Sequence, residues 1–283
     1  MELSPWQVPK RITKDPHSTN CSIFLHDDTL MVFGGTFNGY VVMKGSYACI
    51  VNKPPKCFQL ENGAWKEHST LNRERYNCAT VSTVKGTFVF GGDASMCGSS
   101  KSYEYLPIGS RIWKNGKRNQ IPGGFESGCA IEVKSRNEIW LIGGWPYYNN
   151  ERILSFDMDS HTFKELPFKL IKGRHGHACA YIPGTTKLLV TGGVCHEEDL
   201  NQTEIIDTET GTVTMAGLMN VPRRYHGMGI VEFNGEQRVA VFGGYFGRVN
   251  NSVELFDTKT QKWEFADELK LNIPRMSFGF VSI

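Results

Sequence analysis

An all-β fold built from repeated four-stranded units is predicted by three observations on this 283-residue chain. A diglycine closes a short apolar run five times: LMVFGG at 30–35, TFVFGG at 87–92, IWLIGG at 139–144, LLVTGG at 188–193 and VAVFGG at 239–244. The first glycines of these pairs are 57, 52, 49 and 51 residues apart. Around each diglycine the same kinds of segment recur in the same order. Self-similarity at a period near fifty marks a propeller or an array, and it takes precedence over reading elements one by one.

The elements of each repeat follow in order. The first strand is a run of small apolar residues: NCSIFL, NCATVSTV, GCAIEV, HACAYI and GMGIVEF. The second strand is the Val, Ile, Leu and Phe run that the glycines stop. Gly34, Gly35, Gly91, Gly92, Gly143, Gly144, Gly192, Gly193, Gly243 and Gly244 are therefore assigned a structural role, since glycine tolerates positive φ and close backbone approach. A third strand ends in an aromatic or apolar residue and often Asp, as in YEYL, LSFD, EIID and ELFD. The fourth carries Trp65, Trp113, Phe163 or Trp263, and the fourth repeat has only Val213 nearby. Four short strands per roughly 50 residues is the unit of a β-propeller blade. The repeats span about 21–70, 75–122, 126–170, 175–220 and 225–272. Repeat one holds about ten extra residues in TFNGYVVMKGSYACIVNKPP, which predicts a loop or extended hairpin on one face.

This pattern resembles the kelch repeat over nearly the whole chain. In repeats two and five the Trp falls 21 and 19 residues after the diglycine. The resemblance implies a single domain over 1–283: a kelch-type propeller of five full repeats plus an incomplete sixth blade. In that arrangement the terminal strands, 4–9 and 276–283, meet and close the ring. From Cys21 to Arg275 there are 255 residues, which divide into five units of 51.

Composition limits the functions open to such a fold. Hydrophobic residues make up 40% and charged residues 21%, a globular balance. Thirty-one Lys and Arg against twenty-nine Asp and Glu give +2, with no polyelectrolyte drive toward nucleic acid or an anionic membrane. No apolar run approaches 18 residues and the N-terminus lacks a signal-peptide core, so a soluble, cytoplasmic monomer is expected. Of eight cysteines, Cys21, Cys78, Cys129 and Cys179 fall 13, 13, 14 and 13 residues before their diglycines. This places them at one equivalent, buried position, too far apart to bridge. Cys49, Cys57, Cys97 and Cys195 are less periodic, the last two in loops just past diglycines. An extracellular kelch ectodomain is the alternative that an even cysteine count leaves open.

His175, His177 and Cys179 alternate along a strand and so share one face, which could offer N, N and S ligands to zinc. The same positions read RERYNC and RRYHGM in neighbouring repeats, so the histidines fill ordinary repeat positions and no metal is expected. A galactose-oxidase-like kelch enzyme is the catalytic alternative. The chain offers no second suitable His pair, no phosphate-binding loop and no G-x-S-x-G elbow, so the reading is non-catalytic and without cofactors.

A propeller gathers equivalent loops into rings on one rim. One ring precedes the first strands: Arg75 and Tyr76, Arg174 and His175, Arg224 and Tyr225, then Arg275. The second follows the diglycines: Phe37 and Tyr40, Trp145 with Tyr147 and Tyr148, His196, then Tyr245, Phe246 and Arg248. The resemblance to kelch adaptors implies that this rim is a protein-binding face. Arginine forks and aromatic rings suit a carboxylate-bearing peptide or protein, while Glu197, Glu198 and Asp199 favour a partner of mixed charge.

Overall fold

The computed structural model describes residues 21–26, 29–34, 41–44, 47–50, 56–62, 64–73, 75, 77–92, 100–116, 120–145 and 150–277. Each repeat forms a four-stranded antiparallel sheet in which strands adjacent in sequence are neighbours. Repeat two runs Ala79–Thr83, Gly86–Phe90, Tyr103–Pro107 and Lys114–Asn115. Repeat three runs Cys129–Val133, Glu138–Ile142, Ile153–Asp157 and Thr162–Glu165. Repeat four runs Ala178–Tyr181, Lys187–Thr191, Thr203–Asp207 and Val213–Met215, and repeat five Gly227–Phe233, Glu236–Phe242, Val253–Asp257 and Lys262–Phe265.

Among the described residues these are the four blades of the propeller arrangement, fewer than the five full repeats and partial sixth that the sequence predicts. A leading sheet from repeat one packs its Met31 and Cys57 against Val89, Leu106 and Trp113 of repeat two. Its second and third strands, Thr29–Gly34 and Lys56–Glu61, are separated by a ribbon of Val41–Lys44 with Tyr47–Ile50. That ribbon is the insertion expected in repeat one. The closing strand at 4–9 lies outside the described residues, as does all of 276–283 beyond Ser277.

Burial grades across each blade as the composition anticipates. Second strands are the most buried, with Phe88, Val89, Phe90, Trp140, Leu141, Ile142, Leu189 and Val190 almost inaccessible. First strands of neighbouring blades touch one another and keep partial exposure, so they line the axis. Fourth strands are largely exposed, and in repeats two and five an indole anchors them: Trp113 Nε1 donates to Ser69 Oγ at 3.0 Å and Trp263 Nε1 to Thr203 Oγ1 at 2.9 Å, each in the preceding repeat. Blade-to-blade cores follow, such as Phe88, Phe90 and Tyr103 of repeat two against Ile139, Leu141 and Phe156 of repeat three. Each fully buried large side chain contributes about 1.5–3 kcal/mol.

The aspartates that end third strands close the next turn. Asp157, Asp207 and Asp257 Oδ1 each accept backbone N–H groups two and three residues on, as in Thr210 N–H to Asp207 at 3.0 Å. These bonds hold all three carboxyls below the usual carboxylate range.

The strand register corrects the cysteine assignment. Cys21 stands opposite Gly34, Cys129 opposite Ile142 and Cys179 opposite Val190, so the four do not share one position. The hairpins between first and second strands differ in length, and counting back from the diglycine therefore lands on different residues.

Candidate functional site

The candidate site grows out of the joints between blades. The second glycine of each pair donates its N–H to the carbonyl of the residue leading into the next blade: Gly92 to Phe125 at 2.8 Å, Gly144 to Arg174 at 2.9 Å, Gly193 to Arg223 at 2.9 Å and Gly244 to Arg275 at 2.8 Å. Both glycines of each of these four pairs have positive φ. A Cβ on Gly192 would stand 2.3 Å from the Arg223 carbonyl oxygen, which explains why no side chain is tolerated there. For these four pairs the structural role rests on a defined contact, while Gly35 of the first pair lies outside the described residues.

Phe125, Arg174, Arg223 and Arg275 are thus equivalent positions, and this overturns part of the predicted ring. Arg174 and Arg223 are fully buried and Arg75 is 2% exposed. Arg75 Nε meets Glu104 Oε1 at 3.1 Å, while Nη1 donates to the carbonyls of Gly91 at 2.6 Å and Ser102 at 3.0 Å. Arg174 pairs with Glu204 and bonds the carbonyls of Gly192 and Gln202, and Arg223 pairs with Glu254 and bonds those of Gly243 and Ser252. The carboxylates are satisfied in turn by backbone N–H groups, as at Ile171 and Lys172 for Glu204. Burial lowers the pKa of Arg174 and Arg223, opposed by the paired glutamate. Arg75 and Arg174 clasp their own blades and are unavailable to a partner.

The equivalent of Arg174 is Arg223, so Arg224 falls one step later, beside His175 and Glu126. There the lead-in segment pairs with the residue after the diglycine: Glu126 with Trp145, His175 with Val194 and Arg224 with Tyr245, each by reciprocal backbone bonds. These pairings lie at the lead-in end of the first strands, the end of the axis called the mouth below, and the Val194 side chain is buried there. Trp145 meets the His175 ring edge-on at 5.4 Å between centroids. Arg224 lies 4.9 Å over the Tyr245 ring and its Nε is 3.3 Å from Asp199 Oδ1, with 30% of its side chain exposed. Two short ribbons, Val194–Cys195 with Glu198–Asp199 and Tyr245–Phe246 with Arg248–Val249, flank it.

Burial lowers the pKa of His175, assisted by the Arg224 charge, and raises that of Asp199 against the pull of Arg224. The Tyr225 hydroxyl is also raised by burial, and its ring lies beside Gly176 of the neighbouring blade. His196, Phe246 and Arg248 are exposed at the ribbon tips, and Arg275 is exposed as well. Phe37, Tyr40, Tyr76, Tyr147 and Tyr148 lie outside the described residues. Cys195, expected in an accessible loop, is 5% exposed within its ribbon. His177 faces the joint with repeat three, where its ring approaches the position of a Cβ on Gly143. Among the described residues no three His, Cys, Asp or Glu are grouped to hold a metal ion, so His175, His177 and Cys179 do not assemble as ligands.

Sequence reasoning missed Glu104, Glu204 and Glu254, although a signal was present. Each is the second residue of its third strand, and Leu154 stands midway between the first two.

Residues 77–282 match the family model described as the KLHDC2/KLHL20/DRC7 Kelch-repeats domain. No curated protein matches the chain.

Proposed function

Because the chain belongs to this kelch-repeat family, we propose that it is a non-catalytic interaction module whose mouth, around Arg224, binds a protein segment of mixed charge. One observation carries the reading: Arg224 is a partly exposed guanidinium held between the Tyr245 ring and Asp199. A carboxylate on the partner would meet Arg224 and Arg248, and a basic group would meet Glu197 and Glu198. Trp145, Tyr245 and Phe246 supply aromatic contact area at low entropic cost. His175, His196, Tyr225 and Arg275 complete the proposed face. The leading sheet is proposed as a further blade, with the terminal segments closing a sixth. A cytoplasmic monomer fits Cys57, Cys78, Cys129, Cys179 and Cys195, which carry free thiols. Among the described residues no helix is long and apolar enough to cross a membrane.

The test is affinity capture from native extract, partner identification by mass spectrometry, and titration of the purified pair. Arg224→Ala and Phe246→Ala are expected to weaken binding at least tenfold. Val84→Thr, on the first hairpin of repeat two and so at the opposite end of the strands, should leave it unchanged. Equal affinity for all three would move the site off the mouth.

A further inference from the structure

Two thiols meet across the joint between repeats three and four. Cys129 opens the innermost strand of one blade and Cys179 is second on the innermost strand of the next. Both pack against one apolar cluster containing Trp140, Ile142, Leu188 and Val190. Cys129 Sγ donates to the His177 carbonyl at 3.3 Å, and the Cys179 thiol and backbone N–H lie against the same sulfur. The Cys129 side chain is therefore already turned onto the neighbouring strand. Residues of the two innermost strands come within 8 Å of one another at Cα, and a disulfide requires its own two Cα atoms to lie within about 7 Å. Both cysteines are partly exposed, and no disulfide joins them.

We propose that Cys129 and Cys179 form a peroxide-responsive site that closes to a disulfide linking the two blades just below the mouth. One thiol gives up its proton and its sulfur attacks a peroxide oxygen; the O–O bond breaks, the leaving hydroxide takes up that proton, and a sulfenic acid and one water result. The second thiol attacks that sulfenic sulfur, the S–S bond forms, the S–O bond breaks, and a second water leaves. Two thiols are oxidised and one hydrogen peroxide is reduced to two waters. Contact with Cys179, together with burial, pushes the Cys129 thiol well above its ordinary range, so the reaction quickens toward alkaline pH.

The cross-link would fix the two lead-in segments against each other. Cys129 lies three residues beyond Glu126, and Cys179 four beyond His175. The effect on binding rests on the mouth being the partner site; the cross-link does not. Cys57 provides an internal control, because it is fully buried against Met31, Leu71 and Trp113, whereas Cys129 and Cys179 are partly exposed.

The experiment treats the full chain with hydrogen peroxide, alkylates remaining thiols, digests without reduction and maps linked peptides by mass spectrometry. The expected result is a Cys129–Cys179 peptide, a loss of two alkylatable thiols that dithiothreitol restores, and Cys57 still alkylated. In Cys179→Ser the two-thiol loss should vanish and dimedone should label Cys129. The proposal is overturned if both thiols stay alkylatable while other cysteines oxidise, if either links to a different cysteine, or if Cys179→Ser still loses two thiols.

Discussion

The blade of repeat three and the blades of repeats two, four and five solve the same joint with opposite chemistry. In three blades a buried arginine and glutamate clasp the sheet: Arg75 with Glu104, Arg174 with Glu204 and Arg223 with Glu254. In repeat three those positions hold Phe125 and Leu154, which are 1% and 3% exposed. A third position changes with them. Where repeats four and five have His177 and His226, repeat three has Gly128, and a Cβ there would lie 2.6 Å from the Phe125 ring. The phenyl group fills the volume that a side chain at 128 would need. The backbone joint is unchanged, since the Phe125 carbonyl accepts from Gly92 as the Arg174 carbonyl accepts from Gly144. Geometry is thus carried by the peptide groups, while the side chains need only be mutually compatible. A buried ion pair is exchangeable for apolar residues when all partners change together, because its desolvation cost rivals its Coulombic gain.

The harshest way to break this comparison is to change one partner alone. Glu204→Leu leaves the Arg174 guanidinium buried without its carboxylate and should cost about 3–5 kcal/mol, read as a lowered urea midpoint. Transplanting the whole of repeat three's solution sharpens the comparison. The triple variant Arg174→Phe, His177→Gly, Glu204→Leu should return to within about 2 kcal/mol of wild type. A triple variant no more stable than the single one would mean that the two chemistries are not interchangeable.

The histidines give a pH-dependent version of the same contrast. Burial, then the charge of Arg223, depresses His226 to about 3, and burial with Arg174 holds His177 well below its ordinary range. A base with a lowered folded pKa binds its proton more readily when unfolded. Stability is therefore full above about pH 6.5 and falls as pH drops below that value, by up to about 1.4 kcal/mol per unit per histidine. At the equivalent position repeat three has Gly128, which carries no titrating group. Denaturation midpoints between pH 7 and 5 should fall less steeply in His226→Phe than in wild type.

The smallest effect on stability belongs to the mouth. Arg224→Ala removes a partly exposed ion pair and a cation–π contact, and should shift stability by less than about 1 kcal/mol. Calorimetry showing a larger loss would make Arg224 another internal clasp, like its neighbour Arg223.

That neighbour explains what could and could not be read from the sequence. Strand runs, diglycines and fourth-strand indoles were legible because repetition multiplies each weak signal. Whether an arginine is buried or exposed was not, because Arg223 and Arg224 are adjacent and only the distant Glu254 distinguishes them. The shared cysteine position failed for a related reason, since hairpin length varies between repeats and local counting does not track register. The mouth depends on reciprocal bonds such as Arg224 with Tyr245, which join residues about twenty apart and leave no local pattern.

At the inner ends of the blades a chain of backbone hydrogen bonds runs from repeat to repeat. Ser127 N–H donates to the Asn77 carbonyl at 2.7 Å, Gly176 to Ser127, Tyr225 to Gly176 at 2.7 Å and Ser277 to Tyr225 at 2.8 Å. All five residues have positive φ, although only one is glycine. A non-glycine residue held there costs on the order of 1 kcal/mol, which the inter-blade bond offsets. Since the bonds use no side-chain atoms, residue identity along this inner line is free to diverge without breaking the contacts between blades. Recognition in such a molecule can be rewritten one blade at a time while the scaffold that displays it stays constant.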